Sequence, residues 1–184
     1  MNVLPARASG LRVIEPRVFG DERGYFFESW NEAQYRAAGI TEQFVQDNVS
    51  RSERGVLRGL HFQSPGEQGK LVTVLVGAAF DVAVDIRRGS PTYGEWVGIH
   101  LDERNHRQVY IPAGFAHGFQ VTSEFAILSY KCSDYYQPAT EATIAWNDPD
   151  IAVEWPISEP VLSPKDTNGM LLRDLPAERQ PFFR

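Results

Sequence analysis

The sequence predicts an all-β fold in which two sheets close into a jelly-roll barrel, with one short N-terminal helix and a C-terminal extension. From Gln43 to Trp146 nearly every segment is a short apolar or alternating run, the pattern of strands rather than helices. Turn-forming clusters divide these runs at Gly66-Glu67-Gln68-Gly69, Arg88-Gly89-Ser90-Pro91 and Pro112-Ala113-Gly114, as the tight connections of an antiparallel barrel require. No self-similar period of roughly 20 to 50 residues is present, so the strands do not form a repeat array. Two packed sheets also solve the edge problem that many short strands would otherwise create.

Taken in order, Met1 to Leu11 contains Pro5 and Arg7 and has no apolar stretch long enough for a signal peptide. No later stretch is long and apolar enough to span a bilayer, so a soluble, cytoplasmic protein is expected. Asn31 to Ala38 is the one helix expected: Asn31 suits the N-cap, Glu32 the first turn and Gly39 the C′ position. Leu71 to Val76 is almost continuously apolar, as in a strand covered on both sides by a second sheet or a partner subunit. In Phe80 to Arg87, Phe80, Val82, Val84 and Ile86 share one face while Asp81, Ala83, Asp85 and Arg87 share the other. A barrel of the cupin type with a polar-lined interior accommodates both patterns. The Pro-rich tail from Pro156 to Arg184 is expected to wrap the barrel or cover its mouth.

The 184 residues, 42% hydrophobic, fit one domain, residues 1–184, with room for a core and a pocket. A net charge of −6 without basic runs lacks the footprint of a nucleic-acid binder. Cys132 is the only cysteine, which excludes an internal disulfide and a multi-cysteine zinc site and reads as a buried structural thiol.

No Gly-rich phosphate loop occurs, so an anionic ligand would be held by side chains such as Arg23, Arg58, Lys70 and Lys165 beside turns or strand ends. His61 ends Val56-Leu57-Arg58-Gly59-Leu60-His61. Strict alternation puts Arg58 and His61 on opposite faces, and a shared pocket requires a twist or bulge, for which Gly59 is suited. Pro112-Ala113-Gly114-Phe115-Ala116-His117 has the P-x-G-x-x-H form of a second cupin motif. A metal cupin would also need H-x-H and a nearby Glu; His61-Phe62-Gln63 offers too few ligands, and no metal or other cofactor is expected. His117 is then a hydrogen-bond donor or base. His100 and His106 lie near a turn and read as surface residues. No G-x-S-x-G elbow marks a nucleophile. Acid–base chemistry remains: a histidine with a carboxylate partner such as Asp166, a phenol such as Tyr130 as acid, and Lys70 to stabilise an enolate.

These segments resemble one family over about Ile14 to Asp174. The matching runs are Arg23-Gly24-Tyr25-Phe26-Phe27-Glu28, Gln46-Asp47-Asn48, Val56 to Gln63, Gln68-Gly69-Lys70-Leu71-Val72, Asp81 to Arg87 and Gly89 to Gly94. They continue through Ile111 to Phe119, Tyr130-Lys131-Cys132, Trp146-Asn147-Asp148-Pro149 and Leu162-Ser163-Pro164-Lys165-Asp166. The sequence is similar to the dTDP-4-dehydrorhamnose 3,5-epimerases. The resemblance implies a metal-independent, homodimeric cupin-like barrel, an N-terminal strand or loop lent to the neighbouring site, and a dTDP-4-keto sugar as substrate. It implies His61 as base, Asp166 as its carboxylate, Tyr130 as acid and Lys70 as enolate stabiliser. Arg23, Glu28, Gln46, Asp47, Asn48, Arg58, His117, Glu141 and Lys165 match nucleotide- or sugar-contacting positions, and Tyr136 the ring that stacks on thymine. Enzymes that invert only C3 or only C5, and a non-catalytic sugar-nucleotide binder, are the alternatives.

Overall fold

The computed structural model describes every residue except Ser9 and Arg184. Its strands are β1 (Asn2–Pro5), β2 (Arg12–Glu15), β3 (Val18–Asp21), β4 (Gly24–Phe27), β5 (Gln46–Glu53), β6 (Leu57–Gln63) and β7 (Lys70–Val76). They continue with β8 (Ala78–Asp85), β9 (Trp96–Asp102), β10 (Gln108–Ile111), β11 (Phe115–Val121), β12 (Phe125–Cys132) and β13 (Glu141–Thr143). One sheet runs β1-β2-β10-β7-β12-β5, a second runs β13-β6-β11-β8-β9, and β3-β4 form a separate hairpin. The pairings within them are antiparallel, as expected of a cupin-like barrel.

Alternation decides what each sheet buries. On β8, Ala79 and Ala83 join Val72, Val74, Val109, Phe119 and Leu128 between the sheets, so Asp81 and Asp85 share that interior face. Phe80, Val82 and Val84 point the other way, beneath Ile151, Leu172 and Leu175 of the C-terminal segment. The tail therefore wraps the barrel, adding parallel bridges Val56↔Val161, Ile144↔Met170 and Arg88↔Phe182. Each fully buried Leu or Val contributes about 1.5–3 kcal/mol. Asp85 is fully buried yet satisfied by Arg87 Nη2 at 2.7 Å, Ser90 Oγ at 2.6 Å and Thr92 Oγ1 at 2.7 Å. Burial pushes the Asp85 pKa up, but these donors outweigh it and hold the carboxyl below its usual range. Gly89-Ser90-Pro91-Thr92 thus serves to neutralise a buried charge.

Helix α1 (Glu32–Ala37) starts where expected, with Asn31 Oδ1 accepting the Gln34 N–H at 3.2 Å. Gly39 follows at φ +87°, a left-handed position that suits glycine. Tyr35, Trp30 and Phe44 pack with Ile14, Leu71 and Tyr110 on the outer face of the six-stranded sheet. The second cover expected over Leu71 to Val76 does not reach its end: Leu75 is 43% exposed. The tail contains a second, one-turn helix, α2 (Pro164–Thr167), with Ser163 as N-cap.

Candidate active site

The Arg58 and His61 question is answered by a bulge. His61 lies opposite His117, whereas Arg58 lies opposite Phe119, so three steps on β6 are matched by two on β11. The extra residue restores both side chains to one face. Gly59 makes this possible: its φ is +133°, and a Cβ there would lie 2.5 Å from Gly118 Cα. Only glycine fits that backbone at that distance.

His61 Nε2 lies 2.6 Å from Asp166 Oδ1, which also accepts the Gly59 N–H at 3.0 Å. Ser163 Oγ donates to the other oxygen at 2.6 Å. Burial would raise the Asp166 pKa, but bonds from His61, Ser163 and Gly59 outweigh it and bring it down to about 2. Asp166 is therefore ionised, so Nε2 carries the imidazole proton and Nδ1 holds the lone pair. Burial also lowers the His61 pKa, with the nearby Lys165 and Lys70 acting in the same sense and Asp166 opposing them. The ring is neutral at pH 7 and can accept a proton.

The facing sheet supplies the complementary groups. Tyr130 packs against the interior core beside Leu128, and the β12–β7 register sets Tyr130 by Val72 and Cys132 by Lys70. Lys70 consequently points inward from the same edge. Burial lowers its pKa, partly offset by Cys132, Asp81 and Glu141, and among the described residues no carboxylate lies within ion-pair distance. Burial raises the Tyr130 pKa, so its hydroxyl keeps its proton. The neutral imidazole and the protonated phenol thus face the barrel interior from different sheets.

Around the mouth, Asn48 lies opposite Tyr130 and Gln46 opposite Cys132. Gln46 Nε2 donates to Asn48 Oδ1 at 3.0 Å, and Gln46 Oε1 accepts the Tyr136 N–H at 2.9 Å. Tyr136 presents a half-exposed ring, and its hydroxyl donates to Glu141 Oε2 at 2.8 Å. Glu141 also pairs closely with Lys165. Arg58 Nε donates to Ser52 Oγ at 3.0 Å. His117 forms a second buried histidine–carboxylate pair, its Nε2 2.9 Å from Asp81 Oδ2.

Three expected site residues are not brought to this mouth. Asp47, one step out of phase with Gln46 and Asn48, points outward and pairs with Lys131 at 2.9 Å. Arg23 is an exposed partner of Asp21 on the β3–β4 hairpin, and Glu28 accepts from Asn31 and Gln34 beside α1. The Tyr25 and Phe27 rings of that hairpin flank His106, with centroids 4.5 and 5.1 Å away. His106 is thus partly covered rather than a free surface residue, because an aromatic hairpin folds over it. His106 precedes β10 at the end opposite Ile111, which pairs with Lys70, so the hairpin sits at the other end of the barrel. Sequence reasoning missed Asp81, Ser52 and Ser163. The alternation of Phe80 to Arg87 already put Asp81 on the polar face, and Ser163-Pro164-Lys165-Asp166 carries the local signal of a helix N-cap with proline at N1, which marks Ser163 as a cap but not as a partner of the Asp166 side chain.

Among the described residues no group of three or more His, Cys, Asp or Glu is arranged to hold a metal. The antiparallel cupin-like barrel, with His61 and Tyr130 on the inner faces of its two sheets, is that of an isomerase. The chain belongs to the dTDP-4-dehydrorhamnose 3,5-epimerase family, whose model matches residues 6–174. It is 56% identical over 164 residues to the dTDP-4-dehydrorhamnose 3,5-epimerase of Pseudomonas aeruginosa, covering 88% of this chain and 91% of that protein. A Legionella pneumophila 3,5-epimerase, solved in complex with dTDP-4-keto-L-rhamnose, superposes with a TM-score of 0.97 at 54% identity, covering 100% of this chain and 98% of that one. The dTDP-4-dehydrorhamnose 3-epimerase of Streptomyces niveus is 42% identical over 176 residues, 95% of this chain and 85% of that protein. Among the described residues no helix is long and apolar enough to cross a membrane.

Proposed function

We propose that the protein inverts C3 and C5 of dTDP-4-dehydro-6-deoxy-D-glucose, giving dTDP-4-dehydro-L-rhamnose, by acid–base chemistry without a metal. The observation that carries this is the placement of neutral His61 and protonated Tyr130 on the inner faces of the two facing sheets, with the Lys70 amine on β7, the strand paired to β12. The C4 ketone makes the protons on both neighbouring carbons acidic. His61 Nδ1 removes one, and the electron pair moves onto the C4 oxygen, where Lys70 stabilises the enolate. Collapse of the enolate takes a proton from the Tyr130 hydroxyl on the other face, which inverts the carbon. Solvent then returns a proton to the phenolate and removes one from the imidazolium. Asp166 stabilises the imidazolium throughout.

Arg58, Lys165 and His117 supply cationic or donor groups for the diphosphate and sugar, Gln46, Asn48 and Glu141 polar contacts, and the exposed Tyr136 ring a stacking surface for thymine. Arg23 and Glu28 act on a second copy's site. The exposed Phe19, Tyr25 and Phe26 of the hairpin and the exposed Val49 and Leu75 on the outer sheet face support a homodimer.

The test is incubation with the dTDP-4-keto sugar in deuterated water containing a chelator, read by NMR and mass. Deuterium entering C3 and C5 with inversion at both is expected. Label at C3 alone would assign the chain to the 3-epimerases, and binding without exchange would make it a sugar-nucleotide receptor. Light scattering at a mass of two chains would support the dimer; a monomer with full activity would remove Arg23 and Glu28 from the site.

A further inference from the structure

The Asp166 carboxylate carries three donors, and only His61 takes part in the chemistry above. His61 and the Gly59 N–H share Oδ1, while Oδ2 receives the Ser163 hydroxyl at 2.6 Å. Ser163 Oγ also accepts the Asp166 N–H at 3.3 Å, as the N-cap of α2. In a usual capping box the N3 side chain reaches back to the N-cap N–H. Here the N3 carboxylate accepts a hydrogen bond from the N-cap hydroxyl instead and turns to β6. A carboxylate has a broad terminal torsion, and a donor on each oxygen removes that freedom. Asp166 is 3% exposed, so bulk water does not take the place of Ser163.

Resting on the proton-transfer reading, we propose that Ser163 is a positioning residue for the base: its hydroxyl fixes the Asp166 carboxylate and moderates its pull on the His61 proton. A carboxylate that shares its charge with a hydroxyl holds an imidazolium less tightly, so the ring gives up the abstracted proton more readily. The charged and titratable groups around His61 are Asp166, Lys165, Lys70, Glu141 and, on its own face of β6, Arg58, with Tyr130 on the facing sheet, His117 on the adjoining strand and its partner Asp81 on the strand beyond. Of these, Asp166 alone bonds to the Ser163 side chain.

Ser163→Gly deletes the hydroxyl but keeps a residue tolerated at an N-cap. We expect kcat about tenfold lower with KM within about twofold, the size of one lost hydrogen bond to a charged group. The acid limb of kcat/KM and the NMR titration of His61 in the free enzyme should both move to higher pH. Ser163→Thr, which keeps hydroxyl and cap, should restore both. Should the glycine variant fold poorly, Ser163→Ala deletes the same hydroxyl on a stiffer backbone, and the same upward shift is expected. A wild-type kcat and His61 titration in the glycine or alanine variant would overturn the proposal. So would a threonine variant as impaired as glycine, or a glycine variant altered only in its urea midpoint. The His61 titration needs no turnover, so it judges Ser163 even if the wild-type protein shows no deuterium uptake.

Discussion

Replacing Asp166 with Asn separates charge from geometry at the proposed base. Both His61 Nε2 and the Gly59 N–H bond to the same oxygen, Oδ1, and only Ser163 Oγ meets Oδ2. An asparagine can therefore keep its carbonyl on Oδ1's position and point its amide at Ser163, whose hydroxyl turns to accept. The His61 tautomer survives and only the negative charge is lost. A carboxylate and an imidazolium with charge centres about 4 Å apart interact by about 4 kcal/mol at an effective dielectric of about 20. With the imidazolium about half formed in the transition state, about 2 kcal/mol is lost, or roughly 30-fold in kcat. KM should stay within about twofold, because Asp166 acts through His61. Since Asp166 raises the His61 pKa, its loss should move the acid limb to lower pH, opposite to Ser163→Gly. Steady-state kinetics with deuterium uptake measures both. A loss under about threefold would show that the charge is not used. A loss equal to that of His61→Asn would refute the tautomer argument, since a serine-protease triad that loses its tautomer falls about 10⁴-fold.

Four further outcomes are expected. Tyr130→Phe should still exchange deuterium but with retained configuration, because His61 can return the proton to the face it left; wild-type inversion would exclude the phenol as acid. Arg58→Ala should raise KM more than it lowers kcat, since a charged contact to a diphosphate acts in ground and transition states alike; an unchanged KM in a folded variant would remove it from the phosphate site. Gly59→Ala forces a Cβ to 2.5 Å from Gly118 Cα and 2.9 Å from the His117 carbonyl oxygen, both backbone atoms, and should cost about 3 kcal/mol or more by urea denaturation. The folded His61 pKa lies below its ordinary value, so the unfolded chain binds the proton more readily; stability should fall as pH drops through about 6.5 toward the folded pKa, and His61→Asn should lose that slope.

The elements were legible because their rules are local. The N-cap at Asn31, the glycine at 39 and the turn clusters report themselves within a few residues, and the alternation of Phe80 to Arg87 already sorted Asp81 and Asp85 onto the interior face. The same alternation would have separated Asp47 from Gln46 and Asn48, had it been applied against the matching run of residues. Period two is a property of the extended chain itself.

What the sequence by itself determined was therefore the all-β class, the helix with its caps, and the set of residues whose chemistry suits proton transfer. Tertiary structure alone decided which of them meet. Asp166 reaches His61 across 105 residues of chain because a one-turn helix in the tail docks against β6. Arg58 and His61 share a face because β11 offers two positions to three on β6, and that mismatch is a property of the pairing, not of either strand. His61 and Tyr130 come to one interior because their strands belong to different sheets that pack on each other. Local sequence sets torsions and side-chain alternation, but distances between segments are set only when the sheets close on one another and exclude water.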